Sequence, residues 1–418
     1  MGILEETEAL VKRAKEASRA VALLSTERKN AVLWRMADEL EAQKGDIQQA
    51  NAKDMAAGSA AGLSPAVLDR LYLDDKRIKG MADGVREIAK LPDPVGEITD
   101  MRRRPSGITV GKMRVPLGLV GFIYESRPNV TSDAAALCFK SGNAVVLRGG
   151  SEAINSNLAI AQVISNAAQA EGAPEGGITI IPIADREAVA SMLKLDHLID
   201  IIIPRGGTAF IKYVTETSSI PVIKHDAGVC HVYVDKMADL AMASEIAFNS
   251  KVHRPSVCNA AETLLVHKDV AQKFLPTMVE RFAKAGVAMV GCAKTRSLAP
   301  GVGEATEEDW YTEYLELKIS IRVVESLDEA VDHITKYGSA HTESIVTEDY
   351  SASGRFIAAV DSSSVMVNAS TRFSDGGEYG LGAEIGISTQ KLHARGPMGL
   401  NELTCQKFIV LGSGQVRK

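Results

Sequence analysis

The chain of 418 residues is poor in cysteine, has no long apolar run and carries no excess of positive charge. No apolar run approaches the length of a transmembrane helix, and the first residues lack the basic-then-apolar pattern of a secretory signal. None of the five cysteines forms a Cys-x-x-Cys pair, so neither a zinc ribbon nor a disulfide framework is indicated. We therefore expect a cytoplasmic protein without a metal site or a membrane partner. The cysteines are Cys138, Cys230, Cys258, Cys292 and Cys405.

The composition is that of an ordinary globular protein, with 45% hydrophobic and 24% charged residues. A net charge of −6 argues against nucleic acid as the main partner. It does not exclude an anionic substrate, because a local basic pocket is enough to bind one. The length predicts two or three domains.

One segment, 249–264, combines a cysteine with basic side chains: N-S-K-V-H-R-P-S-V-C-N-A-A-E-T-L. Lys251, His253 and Arg254 all lie within seven residues of Cys258. Positive charge near a thiol lowers its pKa from about 8.5, and the thiolate is the nucleophilic form. Two interpretations stay open at this point. Cys258 is either a catalytic nucleophile or a small buried residue at the entrance of a strand.

Strand-like and helix-like segments alternate from 117 to 234, which predicts a parallel α/β sheet. A helix is predicted over 131–140, with Thr131 or Ser132 as its N-cap. A second α/β unit follows the first, and its acidic segment 304–316 is predicted to be a loop. The strands predicted for the first unit are 117–123, 143–147, 178–182, 198–203 and 222–223. Those of the second are 231–234, 263–266, 319–324, 343–346 and 365–368.

Two strand–glycine–helix junctions lie in the first sheet, at Gly149-Gly150-Ser151 and Gly206-Gly207-Thr208. Helix N-termini offer unpaired N–H groups to phosphates, so the two junctions suggest a dinucleotide site. Neither matches G-x-G-x-x-G, so the ordinary dinucleotide fingerprint is missing. Each junction taken singly is equally compatible with a tight turn.

The ends of the chain have simpler patterns. Residues 3–57 are predicted to be helical, 58–64 to be a break and 66–91 to be a further helix pair, and the region shows no chemical motif. A hairpin is predicted over 97–116, around a Pro-Ser-Gly turn. Its arginines at 102–104 are better interpreted as a solvated or subunit-facing surface than as a nucleic-acid patch. The last strand, 408–411, lacks a local partner, so we expect it to pair with another segment or another subunit.

Five segments, in this order along the chain, resemble the aldehyde dehydrogenase superfamily. They are Y-E-S-R-P-N-V-T at 124–131, K-S-G-N-A-V-V-L-R-G-G at 140–150, H-D-A-G-V-C-H at 225–231, R-P-S-V-C-N-A-A-E-T-L at 254–264, and E-Y-G-L-G-A-E-I-G-I-S-T-Q-K with H-A-R-G-P-M-G-L from 378 to 400. The resemblance covers essentially the whole chain. It implies two α/β domains with parallel sheets, similar to Rossmann folds, and a β-hairpin oligomerisation element.

The resemblance also implies a reaction. Its branch of the superfamily reduces L-glutamyl 5-phosphate to the semialdehyde with NADPH, in proline biosynthesis. Cys258 matches the thiol that would expel phosphate and form a thioester. Asn129 matches the asparagine whose amide, with the Cys258 backbone N–H, would form the oxyanion hole. A non-phosphorylating semialdehyde dehydrogenase, an acyl-CoA reductase and an inactive structural partner of glutamate 5-kinase are the alternatives.

Several further residues follow from the resemblance. Arg148 and Ser151 stand where NAD-using relatives carry a lysine and a ribose-binding glutamate, which would suit the 2′-phosphate of NADP. Glu313 or Glu316 would match the glutamate that holds the nicotinamide ribose. The remaining cofactor residues would be Gly149, Gly206, Gly207 and Thr208. Candidates for binding the substrate's anionic groups are Arg127, Lys251, His253, Arg254 and Arg372.

One departure from the superfamily is informative. Hydrolytic members carry a glutamate in E-L-G-G that activates water, and His225 replaces it here in His-Asp-Ala-Gly. Water would then be a poor acyl acceptor, which agrees with phosphate as the leaving group. A proton-shuttle role for His225 or Asp226 is a weaker hypothesis.

The domains expected from the resemblance are discontinuous. The NADP-binding domain would comprise 1–98, 115–234 and about 371–397, and the catalytic domain 235–370. Residues 99–114 and 398–418 would form the oligomerisation element of a homo-oligomer. A functional association with glutamate 5-kinase is a further expectation, because the acyl phosphate that the kinase makes is labile.

Overall fold

The structure is a computed structural model and describes residues 2–224 and 227–417. Its helices are α1 Ile3–Val21, α2 Thr26–Ala42, α3 Lys44–Ala60, α4 Pro65–Leu71, α5 Asp75–Lys90, α6 Val130–Lys140, α7 Ile154–Ala170, α8 Arg186–Met192, α9 Thr208–Thr217, α10 Leu240–Val252, α11 Lys268–Lys284, α12 Ala293–Leu298, α13 Leu327–Tyr337 and α14 Tyr350–Ala359. None of the helices in this described part is both long and apolar enough to cross a membrane.

The strands are β1 Ile98–Arg103, β2 Thr109–Pro116, β3 Leu119–Tyr124, β4 Ala144–Gly149, β5 Ile178–Ile180, β6 Ile201–Arg205, β7 Cys230–Val234, β8 Ala261–His267, β9 Ala288–Gly291, β10 Gly303–Glu304, β11 Lys318–Val324, β12 Thr342–Val346, β13 Ser364–Val367, β14 Gly386–Ser388, β15 Gly396–Met398 and β16 Thr404–Leu411. Two compact units divide the chain. Unit 1 is Met1–Lys224, Gly380–Gly386 and Met398–Lys418, and unit 2 is His225–Tyr379 and Ile387–Pro397.

Unit 1 contains a four-stranded parallel sheet in the order β5-β4-β3-β6. Strands β3 and β4 are buried along their whole length, as expected for a parallel sheet covered on both faces. The chain builds outward from β3 to β5 and then crosses to β6, so the topological switch point lies between β3 and β6. The predicted fifth strand is reduced to one bridge between Ile202 and Val222, because Pro221 has no N–H to extend the ladder.

The hairpin and the C-terminal strand of unit 1 form a separate antiparallel sheet, in the order β1-β2-β16. Eight residue pairs join β16 to β2, from Thr404 with Pro116 to Leu411 with Thr109. This pairing confirms that the last strand has a distant partner in the chain. Apolar side chains remain exposed on β16, where Phe408 is 70% accessible.

Unit 2 contains seven parallel strands in the order β10-β9-β11-β8-β7-β12-β13. The five strands predicted for this part of the chain are present as β7, β8, β11, β12 and β13. The elements β9, α12, α14 and the two-residue β10 are additions that the prediction missed. The first two are only four and six residues long, too short to show a period.

The unit boundary differs from the predicted domain boundary. Strand β7 was assigned to the cofactor domain, but it lies between β8 and β12 in the sheet of unit 2. The segment 387–397 also belongs to unit 2. A continuous apolar run is typical of a buried strand in either sheet, so the sequence pattern of β7 could not show which of the two sheets contains it. The functions predicted for the two domains stay predictions.

Candidate active site

Cys258 lies in the turn between α10 and β8, three residues before β8 begins at Ala261. Since β8 is flanked by β7 and β11, this turn stands at the amino-terminal edge of the sheet, near its middle. Cys258 is half-buried. The residue is therefore at a strand entrance, but it is not enclosed in the core as the structural alternative supposed.

The segment before β7 packs directly against the backbone of Cys258. A Cβ atom at Gly228 would lie 2.0 Å from the Cys258 carbonyl oxygen, so only glycine fits this close approach. The Sγ of Cys230 donates a hydrogen bond to the same oxygen at 3.2 Å. Burial raises the pKa of the Cys230 thiol well above its usual value, which keeps it protonated and able to donate. Both contacts hold the Cys258 turn in place.

A group of basic side chains lies beside this turn. The Nε of Arg372 donates to His253 Nδ1 at 3.4 Å. Burial, and secondarily the positive charge of Arg254, lower the pKa of Arg372, whereas Cys258 acts in the opposite direction. His253 and Arg254 are exposed, and Arg372 is half-buried. The structure thus brings together four of the predicted residues: Cys258, His253, Arg254 and Arg372.

Lys251, the fourth basic candidate in unit 2, has a different environment. Its ammonium is fully buried and forms an ion pair with the carboxylate of Glu262, which also accepts from the Leu315 backbone N–H at 3.2 Å. Burial lowers the pKa of Lys251 and raises that of Glu262 to about 7. The predicted contact between Lys251 and substrate is therefore replaced by a buried internal pair, because the side chain turns inward from the last turn of α10.

Asn129 lies in unit 1 and is the N-cap residue of α6. Its Nδ2 donates to Asp133 Oδ2 at 3.0 Å. Burial raises the pKa of Asp133 to about 6, and the hydrogen bond from Asn129 acts against this rise. The predicted caps were wrong, because the Thr131 hydroxyl bonds to Tyr124 and Asn157 and the Ser132 hydroxyl donates to the Asn129 carbonyl.

Arg148 is the second-last residue of β4 and is buried, with 7% of the residue accessible. Its guanidinium donates to the Gly149 carbonyl at 2.9 Å, to Ala184 at 2.7 Å and to Asp185 at 3.3 Å. Ser151, in contrast, is exposed just after the strand. The side chain predicted to meet a 2′-phosphate is thus occupied by backbone carbonyls in this structure.

The second glycine junction follows β6 and opens α9. Glu125 Oε2 accepts from the Gly207 N–H at 3.0 Å, so a carboxylate caps this helix start. No heavy atom lies within 4 Å of a Cβ built at Gly207, and Thr208 is exposed. At Gly149 a Cβ would meet the Asn157 side chain at 2.0 Å. The two junctions follow strands on either side of β3, at the carboxyl edge where a dinucleotide fits such a sheet.

Three comparisons give the chain its relatives. The model of the aldehyde dehydrogenase family matches residues 3–309. This chain belongs to the aldehyde dehydrogenase family. It is 57% identical to the gamma-glutamyl phosphate reductase of Caldanaerobacter subterraneus subsp. tengcongensis over 413 residues, 99% of this chain and 100% of the relative. It is 58% identical to that of Geotalea daltonii over 418 residues, 100% of both chains.

Among solved structures, the crystal structure of gamma-glutamyl phosphate reductase from Thermotoga maritima has a TM-score of 0.97 and 46% identity, covering 99% of this chain and 100% of that one. These findings confirm the predicted family and its α/β fold with parallel sheets. As a member of the aldehyde dehydrogenase family, the chain is an oxidoreductase that acts on an aldehyde group with a nicotinamide cofactor.

The remaining predicted residues of this family member are placed as follows. Arg127 is exposed in the loop before α6, and Glu316 is exposed before β11. Burial raises the pKa of Glu313, whose carboxylate accepts from the backbone of Gly228, the glycine that packs on Cys258. The predictions for His225 and Asp226 lie outside the described residues.

Sequence reasoning missed several residues of the site. Asp133 follows Asn129 at the i+4 spacing of a helix, a signal that was available. No comparable sequence spacing pointed to Glu262, Cys230 or Asn259 as residues that contact the Cys258 segment. Asn259 donates from its side chain to the Ser374 carbonyl at 2.9 Å and so ties the loop that follows β13 to the Cys258 turn, across 115 residues of sequence.

Proposed function

We propose that this chain reduces L-glutamyl 5-phosphate to L-glutamate 5-semialdehyde and phosphate, with NADPH as the reductant and Cys258 as the nucleophile. The reaction is the second step of proline biosynthesis. The observation that carries the proposal is the half-buried Cys258 beside the basic group of His253, Arg254 and Arg372. Full-length identity of 57–58% to gamma-glutamyl phosphate reductases supports it.

In the first step, the Cys258 thiolate attacks the C5 carbonyl carbon of the acyl phosphate. A carbon–sulfur bond forms, and the bond to the phosphate oxygen breaks, so that phosphate leaves with the electron pair. Arg372 and Arg254 stabilise the departing phosphate through charge-assisted hydrogen bonds. Their place beside Cys258 in unit 2 supports this role.

The second step reduces the thioester. When bound, NADPH would supply the hydride that the thioester carbonyl carbon accepts. The carbon–sulfur bond then breaks, the Cys258 thiolate leaves, and the aldehyde is released. In both steps the carbonyl oxygen becomes negatively charged, and the Cys258 backbone N–H would donate to it. The family resemblance gives the Nδ2 of Asn129 the role of an oxyanion donor. The Cys258 carbonyl accepts from Cys230 Sγ, which holds the turn that carries the Cys258 N–H, and Asn129 Nδ2 donates to Asp133, which orients its amide.

The cofactor residues are proposed on the carboxyl edge of the unit 1 sheet. The open start of α9 at Gly207 and Thr208 suits a pyrophosphate, which would compete there with the Glu125 carboxylate. The exposed Ser151 after β4 presents no side-chain carboxylate that would repel a 2′-phosphate, which favours NADPH over NADH. A glycolyl-CoA reductase of the same fold has been solved with bound NADP+, at 16% identity and a TM-score of 0.67.

Assembly and location follow from the same proposal. The exposed Phe408 and Val410 on β16 suit an interface with another subunit, so we propose a homo-oligomer. A labile acyl phosphate favours an association with the glutamate 5-kinase that makes it. A nucleophilic thiol needs a reducing compartment, which supports a cytoplasmic location.

A phosphate-dependence assay tests the function. In the reverse direction, oxidation of glutamate 5-semialdehyde with NADP+ should require phosphate or arsenate, because water is a poor acceptor for the thioester. Coenzyme A should not replace phosphate. Steady oxidation without any added acceptor would point to a non-phosphorylating dehydrogenase, and dependence on coenzyme A to an acyl-CoA reductase.

A further inference from the structure

We propose that Arg186 binds the ribose 2′-phosphate of the cofactor, and that Arg148 anchors the loop from which Arg186 projects. The inference rests on the proposed use of NADPH and names a residue that would determine the preference for NADPH over NADH. It departs from the sequence prediction, which gave the phosphate contact to Arg148.

Arg148 is committed to the protein backbone. Its Nη2 donates to the carbonyls of Ala184 and Asp185, and its Nη1 to that of Gly149. These bonds tie the end of β4 to the loop that leads from β5 into α8. A guanidinium that is almost fully buried and already donates to three carbonyls is poorly placed to take up a solvated dianion.

Arg186 follows directly on the two carbonyls that Arg148 holds, and it is the first residue of α8. It is exposed, and no ion pair joins it to another described residue. Its charge is close enough to act on Arg148, whose pKa is lowered first by burial and also by Arg186. The end of β4 therefore carries two guanidinium groups, of which the outer one is available to a ligand.

Two nearby carboxylates, those of Glu152 and Asp185, accept hydrogen bonds from other groups. Glu152 Oε1 accepts from the Ser126 N–H at 2.6 Å and from its hydroxyl at 2.7 Å. Asp185 caps α8 by accepting from the Glu187 N–H at 2.8 Å. In doubly wound sheets the residue after the second strand meets the ribose 2′ position, and an arginine there accommodates a 2′-phosphate. β4 is the second strand of this sheet, so Arg186 stands beside the expected position.

The test measures binding without turnover. Dissociation constants of 2′,5′-ADP and of 5′-AMP are determined by calorimetry for the full chain, for Arg186→Ala and for Arg70→Ala. Arg70 is an exposed arginine of α4, so its variant removes the same charge elsewhere in unit 1. We expect Arg186→Ala to raise the dissociation constant of 2′,5′-ADP roughly 10- to 100-fold, because charge-assisted hydrogen bonds are lost. The dissociation constant of 5′-AMP should stay unchanged. Arg186→Lys should restore part of the binding.

Three results would overturn the proposal in different ways. If the unmodified chain prefers 2′,5′-ADP and Arg186→Ala keeps that preference, another residue binds the phosphate and the proposed NADPH use stands. If the unmodified chain binds both nucleotides equally, the 2′-phosphate site and the proposed NADPH preference fail together. An equal loss in Arg70→Ala would show that only net charge matters, and would also overturn the assignment.

Discussion

Lys251 and Glu262 form an ion pair in which the two side chains are 0% and 1% exposed. Lys251 lies in the last turn of α10 and Glu262 is the second residue of β8. The ion pair therefore joins the two ends of the segment that carries Cys258. Glu262 also accepts a hydrogen bond from the Leu315 N–H, which connects the ion pair to the loop before β11. We interpret the pair as the support that fixes both ends of the nucleophile turn.

Replacing one partner should be far more harmful than replacing both. Lys251→Met leaves the Glu262 carboxylate buried without a counter-charge, and we expect the free energy of unfolding to fall by about 3–5 kcal/mol. The double variant Lys251→Met/Glu262→Leu should recover most of this loss. The free energy of unfolding of unit 2 is measured by urea unfolding followed by Trp310 fluorescence. All variants carry Trp34→Phe, which removes the fluorescence of the tryptophan in unit 1. Equal stability of the single variant and the parent would refute the supporting role.

Arg372 should govern the affinity for phosphate. In the reverse assay, Arg372→Ala is expected to raise KM for phosphate roughly 10- to 100-fold, because a charge-assisted contact is lost. Arg355→Ala is the matched control, since Arg355 is 61% exposed on the same unit and pairs with Asp328. A fall in kcat with KM for phosphate unchanged would place the phosphate elsewhere.

Asp133 should act through Asn129. Asn129→Ala is expected to lower kcat about 100- to 1,000-fold, the usual cost of one oxyanion donor. Asp133→Ala should lower kcat by a smaller factor in the parent and have no further effect in the Asn129→Ala background, because its hydrogen bond to Nδ2 is then already gone. Asp133→Asn keeps an acceptor and serves as the conservative control. The same loss in both backgrounds would mean that Asp133 has only a structural role.

His333 should make unit 2 sensitive to mild acid. Burial, then the neighbouring His231, Arg322 and Lys336, lower the pKa of His333 to about 2. Below its ordinary pKa of 6.5 the unfolded chain binds a proton that the folded chain does not, so stability is full above that pH and falls as the pH decreases. The slope from this residue approaches about 1.4 kcal/mol per pH unit.

His333→Asn separates this effect from other titrations. The asparagine keeps an acceptor for Arg322 Nη1, which bonds to His333 Nδ1 at 3.3 Å, but it does not titrate. Urea unfolding in the Trp34→Phe background at pH 7.5, 6.5 and 5.5 should show a shallower pH dependence in the variant. Parallel curves for parent and variant would exclude His333 as the responsible group.

Local patterns predicted much of the fold. Apolar spacing predicted a helical N-terminal region, and the structure has the helices α1 to α5 there. The alternating pattern gave both parallel sheets, because buried strands are continuous apolar runs. Thr131 and Ser132 misled the prediction of the α6 cap, since their hydroxyls bond to tertiary partners or to a carbonyl inside the helix.

The site was less predictable because its key contacts are distant in sequence. Arg148 bonds to carbonyls 36 and 37 residues further along, and β16 pairs with β2 across nearly 300 residues. No spacing rule connects such positions. Cys258 and Asn129 were found through the family resemblance, whereas the inward turn of Lys251 depends on packing that only the structure shows.

The central claim is that Cys258 carries the acyl group, and trapping that group tests it most directly. The chain is incubated with glutamate 5-semialdehyde and NADP+ in phosphate-free buffer, then quenched in acid, digested and analysed by mass spectrometry. We expect a glutamyl adduct on the peptide containing Cys258, its release when phosphate is added, and no adduct in Cys258→Ser. An active parent enzyme with no adduct on that peptide, or a Cys258→Ser variant with undiminished reductase activity, would contradict the account.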